Sequence, residues 1–294
     1  MPFSPTHQNL VMSSFILWLQ NLLIKKEGYT NIGAKFYEGN QTYSGYRSFY
    51  AAQKPIIFDN SYSGPNIMTG IYFNNSYLTL GTSGFAGVDY LRSAVYFTGS
   101  NTPSFTNAVI SGNYSVLDYN VMFPAPDAAL IFEGKYELRP KTSLNSANIT
   151  GLKSNEIPFP VILCRSETFS NKGWCFGGTD LTTTNIGCYV FSDNLYSFDA
   201  LRSILVDEKT NYFSILSTGD LPTTNINALK NGQLYSYTGK AALQGQIGSG
   251  SAAYINDVII TDFNRRGFFQ EVQNLSSDVY FGIVEFEVSK PRLT

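Results

Sequence analysis

From residue 29 onward the chain is built of short apolar runs rich in Tyr, Phe, Ile and Val, each soon broken by Gly, Asn, Ser or Pro. Runs of that kind are strands and turns rather than long helices. The period is clearest at 279–288, where Val284, Phe286 and Val288 alternate with Glu285 and Glu287. It recurs at 128–139, where Leu130, Phe132, Tyr136 and Leu138 share a face opposite Glu133, Lys135 and Glu137. Side chains alternate across a strand, so each pattern puts one face on a core and the other in water. Further strands are expected at 55–59, 67–73, 77–80, 93–97, 114–123, 161–164, 188–191, 212–216, 234–237 and 254–261. Within this part of the chain only 195–207 reads as a helix, with Leu201, Ile204 and Leu205 on one side. One short helix does not make a βαβ series. The expected fold class is therefore mainly β: sandwich-like antiparallel sheets with an N-terminal amphipathic helix.

That helix is expected over 10–24, the most apolar stretch of the chain. Leu10, Val11, Phe15, Trp18, Leu19, Leu22 and Leu23 recur at three- and four-residue steps, interrupted by Ser14, Gln20 and Asn21. Gly28 is the expected stop. The stretch is too short and too polar for a membrane span. It also lacks the leading basic residues of a signal peptide, so none is expected. Its dense apolar face either packs on its own domain or docks on a neighbouring subunit through Phe15, Trp18, Leu19 and Leu22.

Composition shifts divide the remainder. Residues 1–28 form the helical docking segment and 29–140 a β-rich domain. Residues 141–157, rich in Ser, Asn and Thr, form a linker. Residues 158–294 form a second β-rich domain with one short helix. The tract 239–253, poor in large side chains, reads as a loop or an arm.

Chemistry is defined mostly by what is missing. His7 is the only histidine, which argues against histidine metal sites and Ser-His-Asp or Cys-His catalysis. No nucleophile elbow or phosphate loop is present. Gly248, Gly250 and Ala253 match the spacing of a dinucleotide fingerprint, but a β-type run follows where a helix is required. Glu285 and Glu287 share the wet side of one strand, the pattern of a solvated face rather than a general acid and base. Asp257 with Asp262, and Asp207 with Glu208, lack the spacing of a calcium loop. Cys164, Cys175 and Cys188 match no zinc spacing. They read as free buried thiols, with a Cys164–Cys188 or Cys175–Cys188 bridge as the alternative. No catalytic residue, cofactor or metal is expected. With 20 Lys+Arg against 22 Asp+Glu, the chain has no basic excess for nucleic acid.

Only 14% of residues are charged, against an ordinary 25% or so; 25 Asn and many Ser, Thr and Tyr supply polarity instead. Burying such groups costs less desolvation than burying charge, so the surface suits permanent protein interfaces. Tyr43, Tyr46 and Tyr50, with Trp174 and Phe176, stand in Gly/Ser-rich surroundings. They belong to the core or a subunit interface, as strand aromatics often do, or else stack on sugar rings.

The apolar leading helix 15–23, the alternating run 129–140 and the closing strand 279–288 belong to a chain with little charge and abundant Asn, Ser, Thr, Tyr and Phe. In this style it resembles the virion structural proteins of tailed bacteriophages, of the tail, baseplate or fibre connector and adaptor type. The resemblance implies a non-enzymatic, homo-oligomeric part of a virion, partnered by other virion proteins and assembled in the host cytoplasm. It carries over no site residues. The alternative is a carbohydrate-binding or receptor-binding surface module that uses exposed loop aromatics.

Overall fold

The computed structural model describes residues 7–39, 45–51, 55–90, 93–98, 105, 108–122, 137–140, 156–173, 180–222, 234–244, 251–262 and 279–292. The chain is mainly β, with two antiparallel sheets and an N-terminal helix, as the alternating runs predict.

Helix α1 spans His7–Lys25. Its end is closed by Glu27 N–H donating to Ile24 O at 3.0 Å and Gly28 N–H donating to Leu23 O at 2.9 Å. This is a Schellman closure, whose left-handed position usually belongs to glycine. Here Glu27 takes it, at φ 60°. Gly28, the expected stop, is the next residue, and a Cβ there would stand 3.2 Å from Leu23 O.

The first sheet holds β1 (Tyr29–Glu38), β2 (Tyr46–Ala51), β3 (Gly70–Phe73), β4 (Ser76–Thr79), β5 (Phe85–Asp89), β6 (Ala94–Thr98) and β7 (Ile110–Leu117). Their order is β4-β3-β7-β1-β2-β6-β5. The two end strands are joined by residues 80–84 alone, so the sheet curls until it is nearly barrel-shaped. Phe36, Phe49, Phe85, Phe97, Ile110 and Tyr114 fill its interior. The run 55–59, expected as a strand, makes only isolated bridges, Ile56 with Val116 and Asp59 with Tyr235.

The expected strand 114–123 is two strands in different sheets. β7 ends at Leu117, the chain bends at Asp118 and Tyr119, and β8 (Asn120–Met122) joins the second sheet. There it lies beside β11 (Val161–Gly173), followed by β12 (Asp180–Ser192), β15 (Tyr280–Arg292), β14 (Ala252–Asp262) and β13 (Tyr212–Ser214). All neighbours are antiparallel except β8 and β11. A separate parallel pair joins β9 (Glu137–Pro140) to β10 (Glu156–Phe159). The rest of the alternating run 128–139, and residues 141–155 of the expected linker, lie outside the described residues.

Helix α2 spans Leu195–Val206, close to expectation, and Asn194 caps it by accepting from the N–H groups of Tyr196 and Ser197. Helix α3, Tyr237–Gln244, replaces two expected features, the end of a strand at 234–237 and the start of a loop at 239–253. Its first N–H groups are met by side chains: Tyr237 N–H donates to Asp59 Oδ1, Thr238 N–H to Ser61 Oγ and Gly239 N–H to Ser236 Oγ. Those acceptors satisfy donors that a helix start otherwise leaves orphaned.

The main core lies on one face of the second sheet. There α1 and α2 cover Ile162, Cys164, Ile186, Val190, Val284, Phe286 and Val288. Helix α1 also meets Ile57, Leu117 and Tyr119, at the border with the first sheet. The helix and β8 therefore belong to the core of the second sheet, across the expected domain limits at 28 and 140.

Candidate functional site

Phe15, Trp18, Leu19 and Leu22, the expected docking face, are all buried within their own chain. The Phe15 ring lies 5.1 Å from Phe286, 5.7 Å from Phe213 and 5.4 Å from Trp18, centroid to centroid. The expectation of a helix docking on a neighbour is corrected by this packing: the apolar face is used up by the chain's own sheet. The polar interruptions are used up too. Leu216 N–H donates to Ser14 Oγ at 2.8 Å, Gln20 Nε2 donates to Val121 O at 3.3 Å, and Asn21 Nδ2 donates to Asp59 Oδ2 at 2.8 Å.

Of the expected loop aromatics, Tyr43, Trp174 and Phe176 lie outside the described residues. Tyr46 opens β2 and is 44% exposed. Beside it the Arg47 guanidinium pairs with Glu38 and lies 4.4 Å over the Phe105 ring. Tyr50, on the same strand, is buried, with its ring packed where a Cβ on Gly39 would stand. It is a strand residue under cover, which places it in the core rather than in an exposed stacking site. Tyr46 and Tyr50 therefore do not form a stacking platform.

Two tyrosine pairs, with Tyr77, Tyr212 and Tyr254 exposed and Tyr72 half-buried, occur where the sequence marked only strands. Tyr72 and Tyr77 face each other across the β3–β4 hairpin with centroids 5.2 Å apart, and Tyr77 Oη lies 3.2 Å from Thr69 Oγ1. On the second sheet, Tyr212 and Tyr254 are direct cross-strand partners, 43% and 40% exposed, with centroids 6.3 Å apart. They lie on the face opposite α1, because the neighbouring Phe213 and Ile255 point into the core.

That outer face is polar around the tyrosines. Ser289 pairs with Tyr254, and its hydroxyl donates to Asn256 Oδ1 at 2.8 Å. Asn256 Nδ2 donates to Glu287 Oε1 at 3.0 Å. Asp257 accepts from Lys209 Nζ at 2.8 Å, and that bond, with help from Val258 N–H, holds its carboxyl below the usual range. Glu285 and Glu287 are on this face, as their alternation predicts. At the other end, Val161, Leu163 and Phe191 form a small second apolar cluster.

The edge of the same sheet is its most unusual surface. β8 covers β11 only at Val161, Ile162 and Leu163. Beyond them β11 continues to Gly173, held on its other side by β12, and residues 167–173 are exposed without a break. Phe169, 42% exposed, is the large apolar side chain in that stretch. Among the described residues no further strand pairs with this edge.

Asp59 is the buried polar hub of the structure. It accepts from Asn21 Nδ2, Ser61 N–H, Ser61 Oγ–H and Tyr237 N–H. Burial, and secondarily this carboxylate, raises the phenols of Tyr62 and Tyr235 above their ordinary value. All four Asp59 contacts are made within the protein and account for it as a structural joint. Glu208 is likewise buried and accepts from Asn211 Nδ2 at 2.5 Å. Among the described residues no group of three His, Cys, Asp or Glu side chains could hold a metal ion, and no helix is long and apolar enough to cross a membrane.

No protein-family model, no curated protein and no solved structure matches this chain.

Proposed function

We propose that this chain is a non-enzymatic structural protein of a virion, of the tailed-bacteriophage tail, baseplate or fibre-adaptor type, and that it assembles through the open edge of β11. The observation that carries this reading is the run of seven exposed edge residues, 167–173, paired with β12 on one side and with no other strand among the described residues. A row of N–H and C=O groups on such an edge is a template for a strand from another chain. The edge is lined mainly by Thr, Ser and Asn, with Glu167 and Lys172 as its charges, so covering it costs little charge desolvation. The neutral composition of the chain points the same way.

The test is association measured by light scattering and by incorporation into particles. Phe169→Pro and Ser170→Pro each remove one backbone donor, and one of two neighbouring positions points its N–H outward. The variant that strips the outward donor is expected to stay folded and fail to associate. Normal association by both folded variants would refute the β11 edge as the contact.

A second reading has its own observation. Tyr212 and Tyr254, beside Asn256, Asp257, Glu287 and Ser289, place two exposed rings next to hydrogen-bonding groups on one sheet face. Tyrosine rings stack on the apolar faces of sugars while such groups take their hydroxyls. A glycan array with the intact chain and Tyr254→Ala tests it: binding lost in the variant supports a carbohydrate-binding module.

A further inference from the structure

Cys164 on β11 and Cys188 on β12 are direct cross-strand partners. Both are fully buried, and the Cys188 thiol donates to Cys164 Sγ at 3.6 Å. Opposed residues of an antiparallel pair have Cα atoms about 4.5–5.5 Å apart, within the roughly 4.4–6.8 Å that a disulfide spans. Closing the bond thus needs rotation of the two side chains and about 1.5 Å of sulfur approach, with no strand displaced. The pair sits at a structural boundary. Residues 161–164 of β11 are buried, Arg165 is exposed, and the register shifts between Ser166 and Thr168.

We propose that Cys164 and Cys188 are a latent disulfide, a redox-set staple between β11 and β12 at the point where β11 passes from buried to exposed. It closes by exchange with a small disulfide such as oxidised glutathione and opens in a thiol-reducing compartment. One cysteine thiolate attacks glutathione disulfide, forming a mixed disulfide and releasing one glutathione. The second cysteine thiolate then attacks the protein-side sulfur and releases the other glutathione. The two cysteine protons pass to the two glutathione thiolates, and two electrons pass from the cysteines to glutathione. This inference stands apart from the assembly reading and holds whether or not the β11 edge pairs with a partner.

The surroundings set the rate. Ile162, Ile186, Val190 and Val284 belong to the same buried cluster as the two sulfurs, and burial pushes the Cys188 thiol well above its ordinary value. The attacking species is the thiolate. Exchange therefore proceeds when the root of β11 opens, and its rate reports that opening. The closed bond would shut a loop between positions 24 apart, which restricts the unfolded chain.

The test uses the full chain carrying Cys175→Ser, since the third cysteine competes for the same partners. Reduced protein is equilibrated with oxidised glutathione at mildly alkaline pH, with and without low urea to speed opening, then mapped by mass spectrometry without reduction. The expected product has lost two hydrogens and contains one peptide pair joined through Cys164 and Cys188. Its Tm is expected to rise by roughly 5–10 °C and to return on adding dithiothreitol. Cys164→Ala in the same background is expected to show no such rise. Separate glutathione adducts, two unreacted thiols even in low urea, or a bridge that lowers Tm would each overturn the proposal.

Discussion

Asn21 and Asp59 meet through one buried hydrogen bond, Nδ2 to Oδ2 at 2.8 Å. The bond joins the first helix to the segment that leads from β2 to β3. The same carboxylate accepts from Tyr237 N–H, so it also fixes the start of α3. Three segments far apart in the chain are thus held by a single side chain. A buried negative charge placed at a helix N-terminus is favourable there.

Asp59→Ala orphans the Asn21 amide, the Ser61 N–H and hydroxyl and the Tyr237 N–H together, and is expected to cost about 3–5 kcal/mol of stability. Asp59→Asn keeps one acceptor and loses the charge, with an expected cost of about 1–2 kcal/mol. Urea unfolding gives both numbers. Amide exchange at Tyr237, fast in the alanine variant and slower in the asparagine one, locates the damage at the start of α3.

Because α1 forms the core of the second sheet, its removal is expected to unfold rather than to undock. Phe15→Ala leaves a hole between Trp18, Phe213 and Phe286, at an expected cost of about 3–5 kcal/mol. A chain starting at residue 26 is expected to lose its near-UV circular dichroism and to aggregate. A folded, soluble truncation that merely failed to assemble would restore the docking-helix reading.

The length and apolar face of α1 are legible in local spacing, but what surrounds the helix is not. Ser14, Gln20 and Asn21 look like flaws in an amphipathic stripe, whereas each meets a partner 202, 101 or 38 positions away. The start of α3 is hidden for the same reason, since the Asp59 carboxylate that caps it lies 178 positions distant. Alternation shows that 114–123 is extended but cannot show the bend at Asp118 and Tyr119 that moves the chain between sheets. On β14 a register shift between Ile255 and Asp257 puts Tyr254 on the same face as Asp257 and Ile259. Strict period two would separate them. The tyrosine face was therefore not legible in the sequence.

Alkaline pH is expected to weaken the fold. Burial pushes the Tyr119 phenol up to about 12 and raises Tyr90, Tyr235 and Tyr237 further. A phenol with a raised folded-state pKa holds its proton more tightly in the folded chain. Its contribution to stability is complete below pH 10, the unfolded value, and is lost as pH climbs through 12. Urea midpoints should be flat with respect to these groups from pH 7 to about 9 and fall above 10. In Tyr119→Phe the fall should be shallower, while the lost bond to Ser192 costs about 1 kcal/mol at neutral pH. A slope unchanged by the substitution would remove Tyr119 from the effect.

The seat of α2 on the sheet depends on a missing side chain. A Cβ at Gly282 on β15 would stand 2.7 Å from Phe198 Cζ, and Phe198 is a buried anchor of α2. Gly282→Ala must push that ring outward, at an expected cost of about 1–3 kcal/mol. Phe198→Leu on its own loses packing, about 1 kcal/mol. In the double variant the shorter side chain clears the new methyl group, so the combined cost should fall below the sum of the two. A double-mutant cycle by urea unfolding reads this directly as a coupling of about 1 kcal/mol or more. Strict additivity would mean that α2 tilts as a body to admit the methyl group, rather than resting on the sheet through Phe198.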